Sequence, residues 1–98
     1  MTNIKIGFIG FGSMAMAIAE GLIKLNAVSA HNIYACAKHY DKLTINADKL
    51  GISACCDAKT VISNCDIIIP AIMPSIAEEV LKPLSDDLCG KMVVSIMH

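Results

Sequence analysis

Residues 6–15 read Ile6-Gly7-Phe8-Ile9-Gly10-Phe11-Gly12-Ser13-Met14-Ala15. The apolar run before Gly10, which starts at Ile4, is typical of a strand buried inside a parallel sheet. A helix is predicted over residues 13–25 because apolar residues recur there at helical spacing. Its apolar stripe is formed by Met14, Ile18, Leu22 and Leu25. The chain therefore begins with a strand that turns at two glycines directly into a helix.

The glycines fit the pattern G-x-G-x-x-A, the turn that holds the pyrophosphate of a dinucleotide. Gly10 permits the tight turn, Gly12 lets the phosphates approach the backbone, and Ala15 keeps the helix close to the strand. Backbone N–H groups and the positive end of the helix then converge on one spot, which suits an anion. We predict a dinucleotide site here. The alternative is an ordinary strand-to-helix turn that carries two glycines.

The composition indicates one α/β domain. The 98 residues are 55% hydrophobic but only 4% aromatic, so the core is aliphatic, as in a parallel sheet covered by helices. The net charge of −1 gives no electrostatic support for a nucleic-acid partner, and no apolar run has the length of a membrane span. The start of the chain has some features of a signal peptide, but its glycines and its continuation into a helix argue against one.

Five cysteines stand at positions 36, 55, 56, 65 and 89. Their number is odd, none has C-x-x-C spacing, and the adjacent Cys55 and Cys56 would point to opposite faces of a strand. We predict that all five are reduced and serve as small apolar residues of a cytoplasmic protein. The alternative is a zinc site, which this spacing does not favour, and we predict no metal.

Strands and helices alternate along the rest of the chain. Strands are predicted at residues 4–9, 32–36, 52–55, 66–72 and 91–97, and helices at 13–25, 41–50, 58–64 and 75–82. Asp57 is the expected N-cap of the third helix, and residues 75–78 fit a capping box for the fourth. This alternation predicts βαβ units and a Rossmann-like, doubly wound parallel sheet in the strand order 3-2-1-4-5.

The end of the second predicted strand discriminates between NAD and NADP. An acid there accepts hydrogen bonds from the ribose of NAD, whereas a cation suits the 2′-phosphate of NADP. The segment reads Cys36-Ala37-Lys38-His39, with no carboxylate before Asp41. Lys38 therefore favours NADP over NAD, Cys36 and Ala37 would line the ribose pocket, and His39 would add a donor. The alternative is that Lys38 and His39 only begin a solvated turn.

Residues 71–75 end the fourth predicted strand with Ala-Ile-Met-Pro-Ser. In a doubly wound sheet this loop faces the same crevice as the glycine turn, so the nicotinamide half of the cofactor is expected near it. The alternative is a plain strand-to-helix turn stopped by a proline.

Together these motifs resemble the opening of pyrroline-5-carboxylate reductase. The likeness rests on residues 6–15 with residues 17–18 and 21–22 behind them, and on the later blocks 66–69, 71–74, 80–81 and 93–96 in the same order. The Met14-Ala15 pair differs from the related 3-hydroxyacid dehydrogenases, which usually carry Met-Gly there. The resemblance covers the whole chain but only the N-terminal cofactor domain of that family.

The resemblance implies hydride transfer from NAD(P)H to the C=N bond of pyrroline-5-carboxylate, which gives proline. It implies that residues 10–14 hold the pyrophosphate, that Lys38 contacts the 2′-phosphate and that residues 71–74 lie near the nicotinamide ribose. This chain departs from the family at Met73, where a lysine is usual, and at Cys56, where many members have an asparagine at the adenosine. In all, the predicted cofactor-binding residues are Gly10, Phe11, Gly12, Ser13, Met14, Ala15, Cys36, Ala37, Lys38, Cys56, Ala71, Met73 and Pro74.

The second, helical domain of that family forms the dimer and supplies most of the imino-acid site, and no part of it is recognised here. Residues 1–98 are interpreted as an NADP-binding Rossmann domain at the front of a larger enzyme, because a core strand at residues 93–97 would otherwise leave apolar surface uncovered. A small imino acid is the expected substrate of the complete enzyme, and a homo-oligomer stays open.

No residue stands out as a catalytic acid or base, and we predict none. Three other readings of the function stay open. They are the N-terminal domain of a 3-hydroxyacid dehydrogenase-like enzyme, a non-catalytic NADP-binding module, and a structural fragment that associates through its strand edge.

Overall fold

The computed structural model describes residues 3–96, which form a five-stranded parallel sheet with helices on both faces. The strands are β1 (Ile6–Ile9), β2 (Ile33–Cys36), β3 (Ser53–Cys55), β4 (Ile67–Pro70) and β5 (Met92–Val93). The helices are α1 (Ser13–Lys24), α2 (Tyr40–Leu50), α3 (Ala58–Asn64) and α4 (Pro74–Leu81). Short 3-10 turns lie at Ala30–Asn32 and Lys82–Leu84.

The strands follow the order β3-β2-β1-β4-β5, and each neighbouring pair is parallel. β1 lies at the centre, where Ile6 is opposite Ile33 of β2 on one side and Ile67 of β4 on the other. All four residues of β1 are buried. The predicted Rossmann-like, doubly wound sheet and its strand order are therefore confirmed, and the carboxyl ends of β1, β2 and β4 lie side by side.

One face of the sheet packs against α1 and α2. Phe8 of β1 is fully buried there, against Ala15 and Ala19 of α1 and Leu43 of α2. Phe8 also meets Phe11 edge-on, with ring centroids 5.6 Å apart, which is a favourable aromatic geometry. Because Phe11 belongs to the glycine turn, its contact with Phe8 connects the turn to this core layer.

The opposite face packs against α3 and α4. Val61 and Ile62 of α3 are fully buried against Ile68 of β4, and Val80 of α4 packs at the margin. A Cβ atom at Gly7 would overlap the Val61 side chain, so the glycine in β1 is what allows α3 to approach the sheet so closely.

The predicted apolar stripe of α1 is wrong at its two ends. Met14 is 49% exposed and Leu25 is 80% exposed, whereas Ala15 and Ala19 are the buried residues of the helix. The face of α1 that meets the sheet is therefore formed by small side chains, which pack in the same core as Phe8 of β1. The larger Ile18 and Leu22 pack at the flank of this contact.

The predicted capping box at residues 75–78 is also wrong. α4 begins one residue earlier, at Pro74, with Met73 as its N-cap, and no side chain in the described part of the chain caps it. Proline is well suited to the first helical position because its φ is already fixed and it has no N–H to satisfy. By contrast, the Asp57 cap is confirmed, since its Oδ1 accepts a hydrogen bond of 2.8 Å from the Thr60 N–H.

The predicted core strand at residues 91–97 differs most from the structure. β5 spans only Met92–Val93 at the edge of the sheet, and Met92 and Val93 are 61% and 47% exposed. Met97 lies outside the described residues. The side chains of this strand are apolar and would suit a buried position, but nothing in residues 3–96 covers them. The other predicted strand and helix bounds agree with the structure to within two residues at either end, and those of α3 agree at both ends.

All five cysteines are free thiols; Cys36, Cys55 and Cys65 are buried, whereas Cys56 and Cys89 are exposed. The free thiols agree with the prediction that all five are reduced, and only Cys36, Cys55 and Cys65 pack as apolar residues inside the fold. Within residues 3–96, no helix is long and apolar enough to cross a membrane, and no three histidine, cysteine or carboxylate side chains form a group that could hold a metal ion.

Candidate functional site

A cleft of about 690 Å³ opens at the carboxyl edge of the sheet, above the ends of β1, β2 and β4. Parallel α/β sheets bind ligands in such a crevice because the strand-to-helix loops and the helix N-termini meet there. The lining residues are Gly10, Phe11, Gly12, Ser13, Met16, Ala17, Glu20, Ala37, Lys38, His39, Lys42, Leu43, Asn46, Ala71 and Ile72.

Gly10 follows β1 and lies against the ends of β2 and β4. These three strand ends form the floor of the cleft. Its φ of +94° lies in the region that favours glycine, and a Cβ atom there would overlap Ile72 and lie 2.9 Å from the Ala71 carbonyl oxygen. Its N–H donates a hydrogen bond of 2.8 Å to the Cys36 carbonyl oxygen. Gly10 is therefore a structural glycine whose N–H is already used, so a ligand in the cleft takes its hydrogen bonds from later residues.

Gly12 stands at the open start of α1. It is the N-cap of the helix in extended conformation, with φ −84° and ψ −165°, and no side chain within residues 3–96 caps the helix there. A Cβ atom at Gly12 would meet no described atom within 4 Å. By helix geometry, the N–H groups of Ser13, Met14 and Ala15 have no partner within the helix. Open space, free donors and the positive helix end thus coincide, and this set of features fits a phosphate group.

The second charged element lies where β2 runs into α2. His39 is the N-cap of α2, and Lys38 and Lys42 are exposed side chains that line the cleft on either side of it. A smaller recess of about 340 Å³ adjoins the cleft and is lined by residues 38–42. The only carboxylate among the residues that line the main cleft is Glu20 of α1. The α2 side of the main cleft therefore presents cations, whereas the adjoining recess also includes the carboxylate of Asp41.

The predicted site residues fall into two groups. Those that line the cleft are Gly10, Phe11, Gly12, Ser13, Ala37, Lys38 and Ala71. Those outside its lining are Met14, Ala15, Cys36, Cys56, Met73 and Pro74. The placement of each residue in the second group has its own cause.

The structure gives three of these residues another environment. Ala15 is 1% exposed and belongs to the core under α1. Cys36 is buried on the opposite face of the sheet, beside α3, and only its carbonyl takes part in the glycine turn. Cys56 is exposed just after β3, beyond the residues that form the cleft. The side chains of Ala15 and Cys36 therefore do not reach the cleft.

The other three residues lie at the starts of α1 and α4 and are exposed. Met14 starts α1 with about half of its side chain in solvent, and Met73 is 67% exposed at the start of α4, followed by the exposed Pro74. Ala71 and Ile72 are the residues of this segment that line the cleft.

Several residues of the cleft were not identified from the sequence: Met16, Ala17, Glu20, Lys42, Leu43 and Asn46. Most of them lie on the facing sides of α1 and α2. The available signal was the spacing of Lys42 and Asn46, which lie four residues apart on α2 and so share one face of the helix. Lys42 is the most consequential of them because it adds a second cation.

The buried thiols are poor nucleophiles. Burial raises the pKa of Cys36 to about 11 and that of Cys65 to about 12, and burial also raises the pKa of Cys55. A thiol with so high a pKa is protonated at neutral pH, and the thiolate is the reactive form. These side chains act as packing groups.

The comparisons with known proteins cover almost all of the chain. A family model described as NADP oxidoreductase coenzyme F420-dependent matches residues 5–98. Pyrroline-5-carboxylate reductase of Treponema pallidum is 36% identical over 93 residues, which are 95% of this chain and 35% of the relative.

Two solved structures show the same fold at similar identity. Pyrroline-5-carboxylate reductase from Coxiella burnetii has a TM-score of 0.87 and 30% identity, over 98% of this chain and 36% of that one. Pyrroline carboxylate reductase from Plasmodium falciparum, solved with NADP bound, has a TM-score of 0.83 and 30% identity, over 99% of this chain and 34% of that one. The chain therefore spans about a third of the length of these relatives.

These findings agree with the resemblance that the sequence motifs indicated. The family match includes the glycine turn, the end of β2 and the end of β4, which are the three segments that form the cleft. The relatives carry the name predicted from residues 6–15 and from the later blocks. The chain belongs to the family of NADP oxidoreductases described as coenzyme F420-dependent.

Proposed function

We propose that this chain holds NADP(H) for a reductase of the pyrroline-5-carboxylate reductase type, which acts on a small cyclic imino acid. The observation that carries the proposal is the uncapped start of α1, where Gly12 leaves open space in a cleft that also contains Lys38. The relatives support it, because they are named pyrroline-5-carboxylate reductases and one of them was solved with NADP bound.

In this proposal the backbone at the start of α1 binds the pyrophosphate. The N–H groups of Ser13 and Met14 donate to its oxygens, and Gly12 keeps the approach free of a side chain. Ala15 contributes indirectly by seating the helix against β1. The bound cofactor supplies the hydride, and the protein supplies its position.

The end of β2 selects the form of the nucleotide. Lys38 and its neighbours place positive charge where the adenosine ribose of a dinucleotide is held in such folds, with no carboxylate between Gly12 and His39 except Glu20 of α1. A 2′-phosphate carries nearly two negative charges at pH 7 and would gain from this charge, so we propose NADP over NAD. Ala71 and Ile72 border the part of the cleft beside β4, where we place the nicotinamide half.

The chain contributes binding and orientation rather than acid–base chemistry. The described residues that line the cleft offer lysines, one histidine and one glutamate, all on the α1 and α2 side and away from the end of β4. We therefore expect the 98 residues to bind the cofactor without reducing an imine on their own. Because free cysteines persist in reducing compartments, we also propose a cytoplasmic location.

Thermal unfolding of the 98-residue chain with NADPH and with NADH tests the proposal. A ligand at 100 times its dissociation constant stabilises a protein by about 2.7 kcal/mol, which is a readily measured increase in Tm. We expect NADPH to raise the Tm at lower concentration than NADH. Absence of any shift with either nucleotide at millimolar concentration would contradict the proposal.

A second measurement separates a binding module from an enzyme. Oxidation of NADPH is followed by the absorbance of its reduced nicotinamide, with pyrroline-5-carboxylate as substrate and the 98-residue chain alone. We expect no steady-state rate above the background without protein. A clear rate would show that these residues also supply the surroundings of the reacting atoms.

A further inference from the structure

We propose that Cys36 and Cys55 form a two-thiol site for a soft divalent cation such as Hg²⁺, on the face of the sheet that packs against α3. The site lies outside the lining of the cleft and does not depend on the proposed function. Cys36 ends β2, Cys55 ends β3, and the two residues are directly opposite each other in this parallel pair. Both are buried free thiols of one apolar cluster, so their side chains project side by side from the same face.

The spacing of the two cysteines suits a bridge from sulfur to sulfur through one ion. Neighbouring strands lie about 4.8 Å apart, which sets the distance between the points where the two side chains start. Two metal–thiolate bonds in line, each of about 2.3 Å as in zinc sites, span about 4.6 Å. A cation therefore fits between the two sulfurs while β2 and β3 keep their places in the sheet.

The number of thiols selects the kind of cation. Zinc in a structural site takes four ligands, and residues 3–96 contain no group of three side chains that could hold a metal ion. Thiolates are soft ligands and favour soft cations. Hg²⁺ is such a cation and is held by two thiolates in a linear arrangement, so the pair supplies its complete set of ligands.

The charge of the complex favours a divalent ion. Burial is the largest cause of the raised pKa of Cys36 and of Cys55, and the nearby carboxylate of Asp57 adds to it, so these surroundings oppose negative charge. When Hg²⁺ binds, two S–Hg bonds form and both thiol protons leave to water, which gives a neutral complex. Cu⁺ with the same two thiolates would leave one negative charge in this buried layer, which is costly.

The position of β3 gives an ion access to the pair. Among the described residues β3 pairs only with β2, so Cys55 lies on an edge strand of the sheet. The exposed Cys56 follows it and lies beyond the paired residues of β3. An arriving ion therefore meets an exposed thiol first and reaches the buried pair by exchange between thiols.

The test loads the 98-residue chain with one equivalent of Hg²⁺ in excess glutathione and measures its mass under native conditions. An ion that bridges two thiols of the chain adds the mass of mercury less two protons, whereas an ion on a single thiol also carries a glutathione. We expect the bridged adduct in the unmodified chain and in Cys56→Ser and Cys89→Ser, which remove the exposed thiols. Cys36→Ala and Cys55→Ala should each lose Hg²⁺ at about 100-fold lower glutathione concentration, because the second, intramolecular bond is gone.

Cys65→Ala is the matched control, because Cys65 is a third buried thiol of the same cluster but is the C-cap of α3 rather than part of a strand. It should retain Hg²⁺ as the unmodified chain does. Equal loss in Cys65→Ala, loss of the bridged adduct in Cys56→Ser, or a glutathione adduct in the unmodified chain would overturn the proposal.

A second measurement needs no variant and therefore does not depend on whether the alanine variants fold. X-ray absorption of the loaded, unmodified chain, freed of glutathione, counts the sulfur atoms bound to mercury. We expect two, in line with the pair, and tighter retention of Hg²⁺ than of Cu⁺ against the same competitor. Three sulfur neighbours, or equal retention of the two ions, would contradict the assignment.

Discussion

Helices α1 and α3 start at the same edge of the sheet but treat their first N–H groups in opposite ways. α3 is closed by Asp57, whose carboxylate accepts the Thr60 N–H at 2.8 Å. α1 is preceded by Gly12, which has no side chain to offer and which opens onto the cleft. The first arrangement favours the stability of the free protein, and the second leaves donors for a ligand.

The difference shows that α1 is open to a ligand because position 12 carries no side chain that could cap the helix. An aspartate at position 12 would cap α1 as Asp57 caps α3, and it would also place a carboxylate where an anion is expected to bind. Gly10 is not interchangeable with Gly12, since it has a positive φ and a close neighbour in Ala71. Two glycines of one turn therefore serve different purposes, and the following variants separate them.

The largest effect is expected for Gly10→Ala. The added Cβ would overlap Ile72, lie 2.9 Å from the Ala71 carbonyl oxygen and occupy a φ of +94°, so we expect a loss of about 3 kcal/mol in the free energy of unfolding. Urea denaturation measures it. Gly12→Ala is the matched control, because its Cβ meets no described atom within 4 Å, and it should cost no more than about 1 kcal/mol, since alanine is less favourable than glycine at an N-cap. Equal losses in the two variants would refute the distinction between the glycines.

The next effect is expected for Gly12→Asp, which makes the start of α1 resemble that of α3. The new carboxylate should cap the helix and raise the stability of the free protein by about 0.5 kcal/mol. It should also weaken NADPH and NADH alike, by roughly 100-fold, because it occupies the donors and repels the pyrophosphate.

Calorimetric titration of both nucleotides checks the effect of Gly12→Asp. Gly21→Asp, in the third turn of the same helix and away from the cleft, is the control for the added charge. Unchanged binding in the Gly12→Asp chain would mean that the start of α1 does not hold the cofactor.

A smaller and more selective effect is expected for Lys38→Asp. This change places a carboxylate beside the proposed position of the 2′-phosphate and should weaken NADPH by roughly 30-fold while leaving NADH within a factor of about 2. Lys59→Asp on α3, outside the cleft, is the control. If both nucleotides lose affinity equally, Lys38 has no part in the choice between them.

The contrast between α1 and α3 also shows what the sequence could and could not predict. The strand order follows from the alternation of strands and helices along the whole chain. The role of Gly10 and the Asp57 cap follow from local rules, since each depends on a residue and its immediate neighbours. The buried face of α1 does not, because the packing of the helix on the sheet decides that Ala15 and Ala19 face inward rather than Met14. In the sequence, Ser75 fits a capping motif as well as Asp57 does, but Pro74 before it already starts the helix.

The candidate site also contains residues that could be predicted from the sequence and residues that could not. Residues in the glycine turn and at the end of β2 lie in the cleft because strand ends in a parallel sheet share one edge. The side chain of Cys36 could not be placed from the pattern, since one residue along a strand decides which face it points to. Lys42 and Glu20 belong to different helices, and only the packing of α1 beside α2 brings them to one cleft.

The smallest effect concerns the closed helix and its pH dependence. The hydrogen bonds from Thr60 lower the pKa of Asp57 below its ordinary value of 3.8, so the carboxylate form is favoured in the folded state. Its contribution to stability is complete above the unfolded pKa and is lost as the pH falls through the lower, folded value.

Asp57→Asn also caps a helix but does not titrate. The difference in Tm between the unmodified chain and Asp57→Asn should therefore stay constant from pH 7 to about pH 5. Below about pH 4 the Tm of the unmodified chain should fall relative to that of Asp57→Asn.

Asp48→Asn, an exposed position within α2, controls for the loss of one carboxylate. The same downward shift with Asp48→Asn would assign the acid sensitivity to net charge, and the contrast between a capped α3 and an open α1 would then have no signature in the stability of the free protein.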